Sequence, residues 1–140
     1  MRIKTTLMAA AIAFGFAGGA QALDSKPILT LDMAKTMADA CEALATGSGW
    51  RPVNIAIFDD GGNLKLFRRQ ENAFLASIQV SQMKGHTSAM LPFPTRLVAE
   101  LGYGKDGAPA PVPGIVEIPG IAAFAGGLPI MTAAGQQLGG

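Results

Sequence analysis

Val53-Asn54-Ile55-Ala56-Ile57-Phe58, then Asp59-Asp60-Gly61-Gly62-Asn63, then Leu64-Lys65-Leu66-Phe67-Arg68-Arg69: this stretch decides the fold. Its two flanking runs are rich in apolar and β-branched residues, which suits strands. The cluster between them is what a tight turn demands, because Gly and Asn accept left-handed backbone and Asp bonds to nearby N–H groups. The adjacent Asp59 and Asp60 raise the alternative of a cation site. The segment lacks the alternating D-x-D-x-D-G order of an oxygen-ligand loop, so a β-hairpin is the reading.

Upstream, Ser25 to Thr30 is a polar, proline-containing lead-in, and Thr30 is placed to cap a helix over about 31–46, with Asp32 in its first turn. Ala34, Met37, Ala38, Cys41, Leu44 and Ala45 recur there at helical spacing and describe one apolar stripe. Gly47 and Gly49 end it. Cys41 is the only cysteine, so no intramolecular disulfide is available. Its expected role is a small buried residue of the stripe, the alternative being a free thiol or metal ligand.

Downstream, a second helix is expected from Asn72 to about Leu91, stopped by Pro92 and Pro94. Ala76, Ser77, Ser81, Gly85, Ser88 and Ala89 leave it room to approach a neighbour closely: another helix, a second subunit or a flat ligand. Thr95 to Leu101 reads as a short third helix, and 102–120 as a Gly/Pro-rich loop. Gly102, Gly104 and Gly107 match G-x-G-x-x-G, but a helix precedes them and prolines follow, which is the wrong context for a dinucleotide site. Ile121–Phe124 and Leu128–Thr132 read as short strands, with a turn at Ala134-Gly135-Gln136. The last hairpin is read as one-armed, ending at Gly139-Gly140.

At the other end, Arg2 and Lys4 precede an apolar and small-residue run from Leu7 to Ala20, closed by Ala20-Gln21-Ala22. A charged start, a short apolar run and a small-x-small site make a cleavable secretory signal over 1–22, leaving one domain over 23–140. The run is too short and too rich in Ala and Gly for a membrane span. Removing Arg2 and Lys4 leaves 9 basic against 10 acidic side chains, so the net charge falls from +1 to −1. That balance argues against a nucleic-acid partner. A periplasmic or secreted location follows, with no membrane contact after cleavage.

His86 is the only histidine. There is no G-x-S-x-G elbow and no paired-histidine zinc pattern to give it a catalytic or zinc role. Met83 and Met90 share its helical face, with Gln79 a turn back, while Lys84, Thr87 and Ser88 occupy an adjoining one. His and Met both serve as axial ligands of haem iron, and Lys84 beside Thr87 suits a carboxylate anchor. The plainer alternative is that the methionines fill core and His86 is structural.

Taken in order, these motifs resemble the GlcG/HbpS family of haem-binding, haem-degrading-type domains, related to the C-terminal domain of PduO-type proteins. The matching stretches are Leu29-Thr30-Leu31, Val53 to Leu64, Phe67-Arg68-Arg69, Ala73 to Ile78, Gln82 to Ala89, Ile121 to Phe124 and Gly126 to Ile130, within residues 29–138. The resemblance implies a profilin-like α/β (α+β) fold, an antiparallel sheet flanked by helices. It also implies a homo-oligomer and haem as ligand and cofactor. The family's Lys-x-x-Thr helix maps onto Lys84 and Thr87. Lys84, His86, Thr87 and Met83 are thus the expected cofactor-binding residues, with His86 or Thr87 meeting the metal; for His86 this is inferred from the sequence alone. Members usually continue past the position of Gly140 into a last strand and a C-terminal helix, so a sheet edge is expected to lie open or to be covered by another subunit. The function expected is an exported haem binder for sensing, scavenging or storage. A haem-degrading enzyme, or an accessory protein binding an organic acid or corrinoid, are the alternatives.

Overall fold

The computed structural model describes residues 25–140. The expected signal at 1–22 lies outside the described residues.

Helix α1 spans Leu31–Gly47. The Thr30 hydroxyl accepts from the Met33 N–H at 3.2 Å, as its capping position predicts. Ala34, Ala38 and Ala45 are buried, so a face of small side chains lets the helix lie close to the sheet. The expected stripe is only partly realised: Cys41 is exposed, and Leu44 is 60% exposed. The expectation of a buried Cys41 is therefore corrected. The sheet covers α1 on one flank, and Cys41 lies on the next flank, at the edge of a cavity.

Strands β1 (Asn54–Phe58) and β2 (Leu64–Arg69) form the expected antiparallel hairpin, with Asn54 opposite Arg69 and Ile57 opposite Leu66. The register shifts between Ile57 and Phe58, leaving Lys65 as the extra residue of a bulge. Asp59 is a turn residue: its Oδ1 accepts from the Gly61 N–H at 3.0 Å and the Asn63 N–H at 2.9 Å. Arg68 ties the hairpin to α1 through Asp39 and, at 3.0 Å, Glu42.

Helix α2 spans Ala76–Met90, four residues shorter at its start than expected. Asn72 adopts a left-handed φ of 63°, and the Ala73 N–H turns back to the Gln70 carbonyl, so the chain enters through a turn. Helix α3 spans Thr95–Tyr103, and the loop after it contains one short 3-10 turn, Pro113–Glu117. Ile121–Phe124 is not a strand, contrary to expectation. The buried Ala122 gives its N–H to the Thr87 hydroxyl at 2.9 Å instead of to a neighbouring strand.

Strands β3 (Ile130–Met131) and β4 (Gln137–Gly139) close the chain as an antiparallel pair around the expected turn. The hairpin read as one-armed thus has its return arm. Gln137 fixes β4 to the end of α2, its Nε2 donating to the Ser88 and Ala89 carbonyls at 2.9 Å each. Phe58 and Gly140 exchange two backbone hydrogen bonds, of 2.8 and 3.1 Å. These bonds run the two hairpins together in the order β2-β1-β4-β3, an antiparallel sheet with helices on its faces. The core lies between α1 and the sheet, where Leu29, Ala34, Ala38, Ile57 and Leu138 are packed by Ile55, Leu66 and Ile130. Among the described residues no helix is long and apolar enough to cross a membrane.

Candidate functional site

Helix α2 separates two hollows, and the residues expected to share a ligand are divided between them. Lys84 and His86 are two positions apart on a helix of 3.6 residues per turn, so their side chains leave it about 200° apart.

Lys84 faces a cavity of about 660 Å³, bounded by α1, α2, the edge of β1 and the segment 126–130. Its ammonium lies 4.2 Å from the centre of the Phe124 ring. Burial pushes its pKa below the ordinary lysine value of 10.5. No carboxylate side chain lines the cavity, and Lys84 forms no salt bridge among the described residues. Arg51 lines the same cavity and lies 5.3 Å from the Phe74 ring centre. Neither Arg51 nor Met37 and Cys41, four residues apart on α1, was singled out in the sequence as a cavity residue. A cation directly before a strand and an i, i+4 pair of sulfur residues were the available signals.

His86 and Met83 line the second hollow, about 240 Å³ and open, with Phe58, Gln82 and Gly120. The His86 ring meets Phe58 edge-on, with centroids 5.6 Å apart and planes at 81°, which holds the imidazole in one orientation. Gly62 in the hairpin turn permits a close approach here. A Cβ at that position would stand 3.4 Å from His86 Nε2 and 2.9 Å from Met90 Sδ. The expected grouping of His86 with Met83 and Met90 is therefore present in space. No hydrogen bond to either His86 ring nitrogen occurs among the described residues.

The structure places Thr87 differently from the expectation. It is fully buried, its Oγ1 accepting from the Ala122 N–H and donating to the Gly120 carbonyl at 3.4 Å. Both bonds fasten the 118–122 segment to α2, and the hydroxyl faces neither hollow. Among the described residues no group of three or more His, Cys, Asp or Glu side chains converges to hold a bare metal ion. The chemistry on offer is one imidazole with thioether neighbours on an apolar surface, and two cations in a separate cavity.

The family described as "Haem degrading protein HbpS-like" matches residues 29–140. Streptomyces reticuli HbpS, solved as a double mutant, superposes with a TM-score of 0.70 at 30% identity, over 93% of this chain and 82% of that one. The Klebsiella pneumoniae protein ORFY gives 0.69 at 26% identity, over 86% and 83%. A PduOC haem complex gives 0.68 at 19% identity, over 81% and 79%, a likeness of fold. An uncharacterized 15.0 kDa protein of Citrobacter freundii, from the dhaT-dhaS intergenic region, is 40% identical over 63 residues. The chain spans less than half the length of that curated relative, 44%.

Proposed function

This chain belongs to the HbpS-like family, and from that premise we propose that it is an exported haem-binding protein whose iron-facing residue is His86. The observation that carries the assignment is the hollow around His86. An imidazole without a hydrogen bond among the described residues, oriented by Phe58, stands on an apolar surface between Met83 and Met90. Imidazole nitrogen and thioether sulfur are both haem-iron ligands, and apolar walls suit a porphyrin face, so the donor set fits the group. Held there, haem would supply redox-active iron.

The protein's own part is to hold and orient. Phe58 fixes the ring plane, Gly62 lets the hairpin turn pack close beside Nε2, and Met83 and Met90 flank the imidazole. Lys84 opens on the other side of α2 and so does not serve a propionate of a haem held at His86 of the same chain. The hollow is shallow, so the reading includes a homo-oligomer in which a second copy covers the exposed porphyrin face. Residues 1–22 carry the export half of the proposal, placing the domain in the periplasm or outside the cell.

Haemin titration of the protein beginning at residue 23 tests the site. A shifted Soret band is expected, lost or altered in His86→Ala and unchanged in Lys84→Ala. No Soret shift in the native protein overturns haem binding; an unchanged spectrum in His86→Ala overturns the site.

A further inference from the structure

His86 stands beside two sulfur atoms. At about 100° per residue, Met90 and Met83 leave α2 about 40° and 60° round from His86, both on the same side of it. Helical side chains lean towards the N-terminus, so Met90 reaches back to the level of His86, and His86 to that of Met83. The hairpin turn marks where the donors meet: a Cβ on Gly62 would lie 2.9 Å from Met90 Sδ and 3.4 Å from His86 Nε2. Met83 lines the same hollow as His86, with Phe58, Gln82 and Gly120 and no carboxylate.

The haem reading uses the imidazole and leaves both thioethers idle. Two donors four residues apart on one helix approach a metal from neighbouring directions. A porphyrin admits protein ligands only on its two opposite faces, so a haem held by His86 cannot take Met90 of the same chain as its second axial ligand. Core filling does not account for Met90 either, because it is 54% exposed. A small ion, by contrast, accepts ligands from one side. Thioether sulfur beside imidazole selects soft Cu(I), whereas Zn(II) and other divalent ions call for thiolates, carboxylates or several imidazoles. Among the described residues no three His, Cys, Asp or Glu side chains converge to meet that second demand. Neutral donors on apolar walls also favour a single charge over a double one, since burying charge is costly.

We propose that Met83, His86 and Met90 form a binding site for Cu(I), through one imidazole nitrogen and two thioether sulfurs. Methionine has three rotatable bonds, so both sulfurs can swing onto an ion at Nε2 without any movement of the backbone. Gly62 is the residue that keeps the place open, because a side chain there would fill the space between Sδ and Nε2. The site does not depend on haem: it needs the two sulfurs, which the haem reading does not.

The test is an oxygen-free titration of Cu(I), held reduced by ascorbate, in competition with the chromophoric chelator bathocuproine disulfonate. The protein begins at residue 23 and carries Cys41→Ser, which removes an exposed thiol that would compete for the ion. One Cu(I) per chain is expected to stay with the protein. Met83→Leu and Met90→Leu keep the apolar volume. Each is expected to weaken Cu(I) at least about ten-fold, the loss that even an outer partner of a metal ligand causes. Lys84→Ala, on the other side of α2, is expected to bind normally. Ag(I), a diamagnetic stand-in, is expected to shift the NMR signals of the Met83 and Met90 methyls and the His86 ring, leaving the methyls of Met33, Met37 and Met131 in place. Complete loss of Cu(I) to the chelator overturns the proposal. So does equal affinity in the Met83→Leu/Met90→Leu double variant, or Zn(II) bound as tightly as Cu(I). The two readings fail separately: a Soret shift without Cu(I) retention removes this site alone, and Cu(I) retention without a Soret shift removes haem alone.

Discussion

Gly85 lies against the Ala56 carbonyl so closely that a Cβ on residue 85 would stand 2.9 Å from that oxygen and from the Phe58 ring. The contact sets the distance between α2 and β1, and with it both hollows. Overpacking of this kind costs about 1–3 kcal/mol, while alanine regains about 1 kcal/mol of helix propensity over glycine. Gly85→Ala is expected to lose about 1 kcal/mol net, and Gly85→Val about 3 kcal/mol or more, in urea unfolding. A Val variant as stable as the native protein means that α2 does not sit on the strand as described.

Thr87 supplies the second clamp on α2. Replacing it by valine keeps the shape but leaves the buried Ala122 N–H without its acceptor. A loss of about 1–3 kcal/mol is expected for Thr87→Val, and much less for Thr87→Ser, which retains the hydroxyl. Because the hydroxyl faces neither hollow, Thr87→Ser is expected to leave a haemin spectrum unchanged. A spectral change without loss of stability would return Thr87 to the ligand site.

The parts legible in the sequence were those decided locally. Thr30 caps α1 because its hydroxyl reaches a donor three residues away, and the 59–63 turn closes on Asp59 through its own neighbours. The parts that were not legible depend on distant partners. Ile121–Phe124 has strand composition, yet the Ala122 N–H is taken by a side chain 35 residues back. Cys41 fits the apolar stripe, but among the described residues no element covers that flank. The spacing of Met83, His86 and Met90 disclosed a common face. That Lys84 opens on a different hollow, with Arg51 beside it, depends on which side of α2 meets β1, and nothing in the helix itself specifies this.

Asp59 gives the hairpin an acid-sensitive element. Hydrogen bonds from the Asn63 backbone, with those from Gly61 and the Asn63 side chain, hold its pKa below the ordinary 3.8 against a smaller opposing effect of burial. A depressed carboxylate contributes stability that is present above the unfolded value and lost as pH falls through the folded one. Native protein is expected to lose stability relative to Asp59→Asn as pH drops below about 4, in thermal unfolding followed by circular dichroism. A difference between the two that does not vary with pH would mean that the charge of Asp59 is immaterial to the turn.

Lys84 acts in the opposite direction. Burial lowers its pKa, so between the folded value and 10.5 the unfolded chain binds more protons and stability rises with pH. Below that window the full penalty of holding an ammonium in the cavity persists, offset in part by the Phe124 ring. Lys84→Met retains the aliphatic stem and removes the charge. It is expected to unfold at higher temperature than the native protein at about pH 7, with the advantage shrinking as pH approaches the unfolded lysine value of 10.5. If Lys84→Met is the less stable protein near neutral pH, the ammonium is satisfied within the fold itself.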